Sequence, residues 1–276
     1  MTEARPREAR RLHFCDNPDF FLPALAVTPK VPRMRNGPCH AFTLVELLVV
    51  VSILGLLAGL AIPAVQGGLA AARKAESVNS LKQLGTLAIS YSAENNGWLP
   101  AEGGEGLQTF SALRTNATAW YNVLPPMAGL PAASNYSANP SSFYRKGSPF
   151  FVPSAKYPKS GAVNTRAYFA FGINSQLEQG SADASILNLN RIQKPTKTAL
   201  FAEGRLPDER TLPPTSGASF TDLGQPKVRD NRFVGRHKGQ GIVVFCDGHA
   251  ESILASEATN PRVVIWEQTE AALAAQ

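Results

Sequence analysis

The chain of 276 residues is long enough for one or two ordinary domains, and its 44% hydrophobic and 17% charged content is that of a globular protein with an added apolar segment, which excludes wholesale disorder. The formal charge of +6 divides evenly, with seven Lys/Arg against four Asp/Glu in residues 1–41 and twenty against seventeen in residues 42–276. No Lys/Arg cluster interleaves with aromatic residues, so a nucleic-acid surface is not indicated.

Residues 1–41 are rich in Arg and Pro, lack a hydrophobic period, and end in the basic run Lys30-Val31-Pro32-Arg33-Met34-Arg35-Asn36. Positive flanks of a membrane segment stay in the cytoplasm, which places this leader inside and everything after Val65 beyond the inner membrane. Met34 is the expected true start, leaving Met34 to Ala41 as a short basic leader. From Phe42 to Val65 the chain is apolar apart from Thr43, Ser52 and one carboxylate, Glu46. At ~1.5 Å per residue a helix here reaches the ~30 Å of a bilayer core. A secretory signal cut near Ala70-Ala71-Ala72 is the competing reading, but the run exceeds the roughly 7–15 apolar residues of such a core.

An ionised carboxylate inside hydrocarbon costs roughly 2.5–3.5 kcal/mol, so Glu46 needs compensation. A cut between Ala41 and Phe42 would expose an α-amine about one helical turn from it, and a neighbouring chain could supply the same cation. Alternatively Glu46 sits at the headgroup level and stays solvated. The spacing leaves both readings open.

Ala41-Phe42-Thr43-Leu44-Val45-Glu46, followed by Pro63, resembles the amino-terminal segment of type IV pilins and of the pseudopilins of type II secretion systems. The resemblance implies cleavage after Ala41 by a prepilin peptidase, N-methylation of Phe42, an assembly role for Glu46, and a helix bend at Pro63. Ala41 departs from the family, where Gly is usual before the cut. As partners it implies the peptidase, other pilin or pseudopilin subunits in a helical filament, and the inner membrane.

Past Pro63 helix should continue to about Glu94, because Val78, Leu81, Leu84, Leu87 or Ala88, and Tyr91 recur at three- and four-residue steps with charged residues between them. Pro63 removes one backbone hydrogen bond, and Gly67-Gly68 allows local melting. Asn95-Asn96-Gly97 tolerates the positive φ that ends a helix. In residues 98–165 glycines and prolines interrupt every candidate element, which predicts short strands and long loops, with Trp120–Leu124 and Phe150–Val152 packing on the helix or sheet. Strands are expected at Ala167–Gly172 and Thr198–Glu203, and a loop over 207–231. Ile242–Cys246 and His249–Leu254 flank Asp247-Gly248 as a hairpin whose type I′ turn needs φ > 0 at both central residues. Arg262–Trp266 is a candidate last strand.

Cys246, the one thiol after the proposed cut, sits in the apolar run and reads as a buried small hydrophobe. His237, Asp247 and Gly248 form a His-x9-Asp-Gly pattern that also resembles a carboxy-terminal element of many large pilin-like proteins. With His249 these residues are candidates for a metal site or an acid–base pair, against a structural role for Asp247 in the turn and a loop-carbonyl bond for His237. Asp208, Glu209, Asp222 and Asp230 are hard oxygen ligands of the kind calcium takes, though their spacing matches no ligand loop and solvated acids are favoured. No nucleophile elbow, zinc-protease, P-loop or dinucleotide fingerprint occurs, so no catalytic residue and no cofactor is assigned.

The expectation is thus an α+β, pilin-like fold: leader 1–41, membrane-spanning and assembly helix 42–65, its amphipathic continuation 66–96, and an extracytoplasmic domain 97–276 built on an antiparallel sheet with the His-x9-Asp-Gly hairpin at 237–254. The expected role is a structural filament or pseudopilus subunit. An uncleaved anchored module that binds polysaccharide or protein is the alternative, and an anchored hydrolase using His237, Asp247 and His249 a further one.

Overall fold

The computed structural model describes residues 42–104, 106–159, 161–177, 188–269 and 274. The leader, with Ala41, Met34, Cys15 and Cys39, lies outside them. The described residues divide into two units between Leu54 and Gly55.

Helix α1 runs over Leu44–Glu94 with Pro63 inside it. It starts two residues later than expected because Thr43 caps it: the Glu46 N–H donates to Thr43 Oγ1 at 3.2 Å, and the Thr43 N–H donates back to the Glu46 carboxylate at 3.1 Å. This reciprocal pair is a capping box, and the Thr43-x-x-Glu46 spacing announced it. Every residue from Phe42 to Arg73 is exposed. The helix ends at Asn96 (φ 55°) and Gly97 (φ 88°), the Gly97 N–H bonding the Ser92 carbonyl at 2.7 Å.

In the second half of α1 the buried residues are Ser77, Leu81, Leu84, Gly85, Ala88 and Ser92. Leu81, Leu84 and Ala88 follow the apolar period, whereas Ser77 and Ser92 are polar and hid from it. Their hydroxyls are satisfied by the carbonyls of Arg73 (3.0 Å) and Ile89 (2.8 Å) on the helix itself. Gly85 permits the closest approach, since a Cβ there would overlap Val244 Cγ1. Gly85→Val is therefore expected to lower stability by about 1–3 kcal/mol through overpacking. Gly68→Ala, with nothing within 4 Å of its Cβ, should raise it by up to about 1 kcal/mol. Thermal melts of the two variants check this pair.

Five strands follow, β1 (Phe171–Asn174), β2 (Ala199–Glu203), β3 (Lys227–Val228), β4 (Gln240–Phe245) and β5 (Ala250–Leu254), in the order β3-β1-β2-β4-β5. The sheet is mixed, not purely antiparallel as expected, because β3 lies parallel to β1. Its two residues fall inside the stretch read as loop, too short to carry any alternation. Apolar residues line both faces. Phe201, Ile242 and Val244 join the cluster that includes Leu81 and Leu84 of α1, while Ala202, Val243 and Phe245 join Phe233, Val264 and Trp266 on the other side. A sheet covered twice needs continuous apolar strands, which is why 242–245 shows no alternation.

Residues 98–165 hold no named strand among the described residues. They form the short helices α2 (Phe110–Leu113) and α3 (Trp120–Met127) and several 3-10 turns, with strand-like pairing limited to isolated bridges. Pro125 and Pro126 sit inside α3, which is only 8 residues long and so has few internal bonds to lose. Trp120 anchors the region: its ring meets Tyr121, Phe150, Phe169, Phe171 and Phe201 at centroid distances of 5.3–6.2 Å, and its N–H donates to the Pro226 carbonyl at 2.8 Å. Phe150 and Val152 are buried as expected. The candidate strand at 262–266 is a single bridge, Thr198 to Ile265.

Candidate functional site

Two places carry the residues singled out in the sequence. The first is the start of α1. Among its exposed apolar side chains are Phe42 (75%), Leu44 (78%), Val45 (67%) and Leu60 (70%), and Glu46 is the lone acid. Its carboxylate also accepts the Thr43 hydroxyl at 2.9 Å. The helix is long and apolar enough to cross a membrane, and none of its most apolar window is buried. Pro63 lies within the unbroken helix near the end of this surface.

The second place is β4 and its two turns. At its start, His237 and Gln240 exchange backbone bonds of 2.9 and 3.1 Å across Lys238 (φ 54°) and Gly239 (φ 85°). Two successive positive φ values make this the type I′ turn, not Asp247-Gly248. At the other end Gly248 (φ 90°) alone is left-handed, its N–H bonding the Phe245 carbonyl at 2.9 Å. That is a three-residue connection with the glycine at its bulge position. The His-x9-Asp-Gly spacing therefore measures one turn plus one strand. His237 and Asp247 stand at opposite ends of β4, roughly 20 Å apart at the rise of an extended strand, so the proposed His237–Asp247–His249 trio is not assembled. His249 does pair with Asp247, Nδ1 to Oδ1 at 2.6 Å, and stacks on Phe245 at 4.4 Å. Asp247 thereby lies in the turn between β4 and β5.

His237 does not bond a loop carbonyl. Its Nε2 lies 3.3 Å from Glu203 Oε1, at the edge of a buried ion cluster that sequence reasoning missed. Glu203 and Arg236 (3.4 Å) and Arg236 and Glu209 (2.7 Å) have fully buried side chains. The Arg236 guanidinium also donates to the carbonyls of Ala170 (2.7 Å) and Gly204, and Glu209 accepts the N–H groups of Lys156 (3.0 Å) and Leu206 (2.9 Å). Burial alone would raise the Glu209 carboxyl, but Arg236 and those two N–H groups outweigh it and hold the group below the usual carboxylate range. Stability from Glu209 is thus present above its unfolded pKa and lost as pH falls through the lower folded one. Arg205 is 1% exposed beside this cluster and donates to the carbonyls of Glu209 (2.8 Å), Leu212 (2.7 Å) and Pro214 (2.8 Å). These contacts join β2, the 207–231 loop and the approach to β4. The only advance signal was charge inside apolar runs: Glu203 closes β2, and Arg236 precedes His237.

Glu209 is accordingly an ion-pair member and not a solvated acid. Asp222 faces Arg232 at 3.7 Å, and Asp230 accepts the Asn231 N–H at 2.7 Å. Among the described residues no three His, Cys, Asp or Glu side chains are gathered as for a metal ion. Cys246 is 6% exposed and burial pushes its thiol up, making it an inert core residue at this pH.

The family model for the prokaryotic N-terminal methylation motif matches residues 37–62. No curated protein and no solved structure matches the chain significantly.

Proposed function

Since the methylation motif and the long apolar helix together fit a type IV pilin-like or pseudopilin precursor, we propose that this chain is a structural subunit of a pilus-like filament or type II secretion pseudopilus. The carrying observation is that the described part of the motif, from Leu44 on, lies on a helix whose apolar run is exposed among the described residues. In this reading the leader stays in the cytoplasm, α1 spans the inner membrane, and the β-rich domain lies beyond it. A prepilin peptidase cuts after Ala41, and Phe42 becomes the methylated terminus. Apolar helices then leave lipid and pack side by side, the Glu46 carboxylate meeting a terminal amine of its own or a neighbouring chain. Packing of this head-to-tail kind does not close on itself and so grows a filament. The motif points to a structural protein and away from an enzyme.

Co-expression of the full chain with a prepilin peptidase tests this reading. A loss of mass matching the leader is expected, and Ala41→Trp should block it because a bulky residue replaces the small one before the cut. A chain whose mass is unchanged by the peptidase would favour the uncleaved anchored module instead.

A further inference from the structure

A cleft of about 400 Å³ opens between the part of α1 just past its apolar run and the Lys238-Gly239 turn. Arg73, Lys74 and Lys238 line it, together with His237, and no Asp or Glu does among the described residues. Lys74 reaches across to Gln240 Oε1 at 2.8 Å, fixing one cation at the rim. Arg236 also borders the cleft, but its charge is neutralised by Glu203 and Glu209. Gly67, Ala70 and Ala71 keep the helix wall low, so the space is not filled by the protein's own side chains. The Ser154 hydroxyl at the same cleft is buried and has no hydrogen-bond partner. A buried hydroxyl left unpaired costs free energy, and an anion oxygen placed beside it would remove that cost.

The position matters as much as the charge. The apolar run ends at Val65, and at the helical rise residues 67–70 fall within the roughly 5–7 Å headgroup layer outside a ~30 Å hydrocarbon core, with Arg73 and Lys74 about 5–8 Å beyond it, a distance their long side chains can reach back across. We propose that this cleft binds the phosphate of an anionic phospholipid, with Arg73, Lys74 and Lys238 supplying charge and Ser154 Oγ donating a hydrogen bond. The headgroup clamp holds the domain against the outer face of the inner membrane until the subunit is extracted. The assignment rests on the membrane-spanning reading of α1, and it does not depend on cleavage.

The full chain in a non-ionic detergent is titrated with dihexanoyl phosphatidylglycerol, dihexanoyl phosphatidylcholine and inorganic phosphate, binding being read by calorimetry. Phosphatidylglycerol is expected to bind most tightly, because phosphatidylcholine carries its own cation. The double variant Arg73→Gln/Lys238→Gln should weaken it roughly 25-fold, at about fivefold per cation near a membrane surface. Ser154→Ala should weaken it too, with near-UV circular dichroism unchanged in all variants. Inorganic phosphate binding as tightly as the lipid would overturn the headgroup assignment in favour of a soluble phosphate. Phosphatidylglycerol binding that is absent, or that is equal in the double variant, would overturn the site altogether. Loss of binding in a chain that co-expressed prepilin peptidase still cuts after Ala41 refutes the clamp alone, and binding by a chain that the co-expressed peptidase leaves uncut refutes the filament reading alone.

Discussion

Replacing Arg236 by methionine is expected to destabilise the β-rich domain by about 3–5 kcal/mol, the cost of leaving buried carboxylates without their cation. Arg236 Nη1 faces Glu203 at 3.4 Å and Nη2 faces Glu209 at 2.7 Å, with neither acid open to solvent. The methylene stem survives in methionine, so lost packing contributes little. The pH dependence should flatten as well. In the parent chain the depressed Glu209 carboxyl makes acid destabilising, its contribution fading as pH falls through its folded pKa. In the variant the Lys156 and Leu206 N–H groups oppose the burial of Glu209 without Arg236, its carboxyl rises from the parent's position, and less stability is lost as pH falls. Denaturant melts between pH 4 and 8 would show the two slopes. A variant within about 1 kcal/mol of the parent at pH 7 would mean the cluster adds no more than a surface pair does. The triple change Arg236→Met/Glu203→Leu/Glu209→Leu should regain much of the loss, since an apolar replacement of a whole buried cluster is often neutral.

Glu46→Gln is expected to lower incorporation into filaments on the order of a hundredfold in competition with the parent subunit, if a charge unpaired in hydrocarbon costs roughly 2.5–3.5 kcal/mol. Glutamine is chosen because it can still close the capping box with Thr43, so the start of the helix is preserved. Thr43→Ala does the reverse: it removes the cap bonds of 3.2 Å and 2.9 Å to Glu46 and keeps the charge. Its expected cost is about 1 kcal/mol of local helix stability, with assembly reduced fivefold or less. The two variants separate a helix-capping role of Glu46 from pairing with an amine. Equal assembly defects in both would assign Glu46 to the cap. Normal assembly of Glu46→Gln would remove the charge pair from the account.

Legibility followed periodicity. The helix from the apolar run to Glu94, its stop at Asn96-Gly97, the strand at Ala199–Glu203 and the β4–β5 hairpin were all readable, because each repeats its pattern over enough residues or is bounded by a left-handed turn. Thr43 as the cap was also readable, from its three-residue distance to Glu46. The two-residue strand β3 was not legible, for no alternation fits in Lys227–Val228. Nor was the short helix α3, where the adjacent prolines argued for a break and the burial of Trp120, Tyr121 and Leu124 overrode them. At the candidate site, His237, Asp247 and Gly248 were found as a pattern, but the strand between them could be measured only in three dimensions. They sit in the turns at the two ends of β4, with the strong electrostatics one residue earlier at Arg236. Buried ion clusters join residues distant in sequence, here Glu203, Glu209 and Arg236, and no local spacing foretells them.

The whole account turns on a new terminus at Phe42, one turn from Glu46. Mass spectrometry of the amino-terminal peptide from the chain isolated in its native envelope measures this directly. The account predicts a peptide beginning with N-methylated Phe42. A peptide beginning at or before Ala41, or one beginning downstream near Arg73, would contradict it.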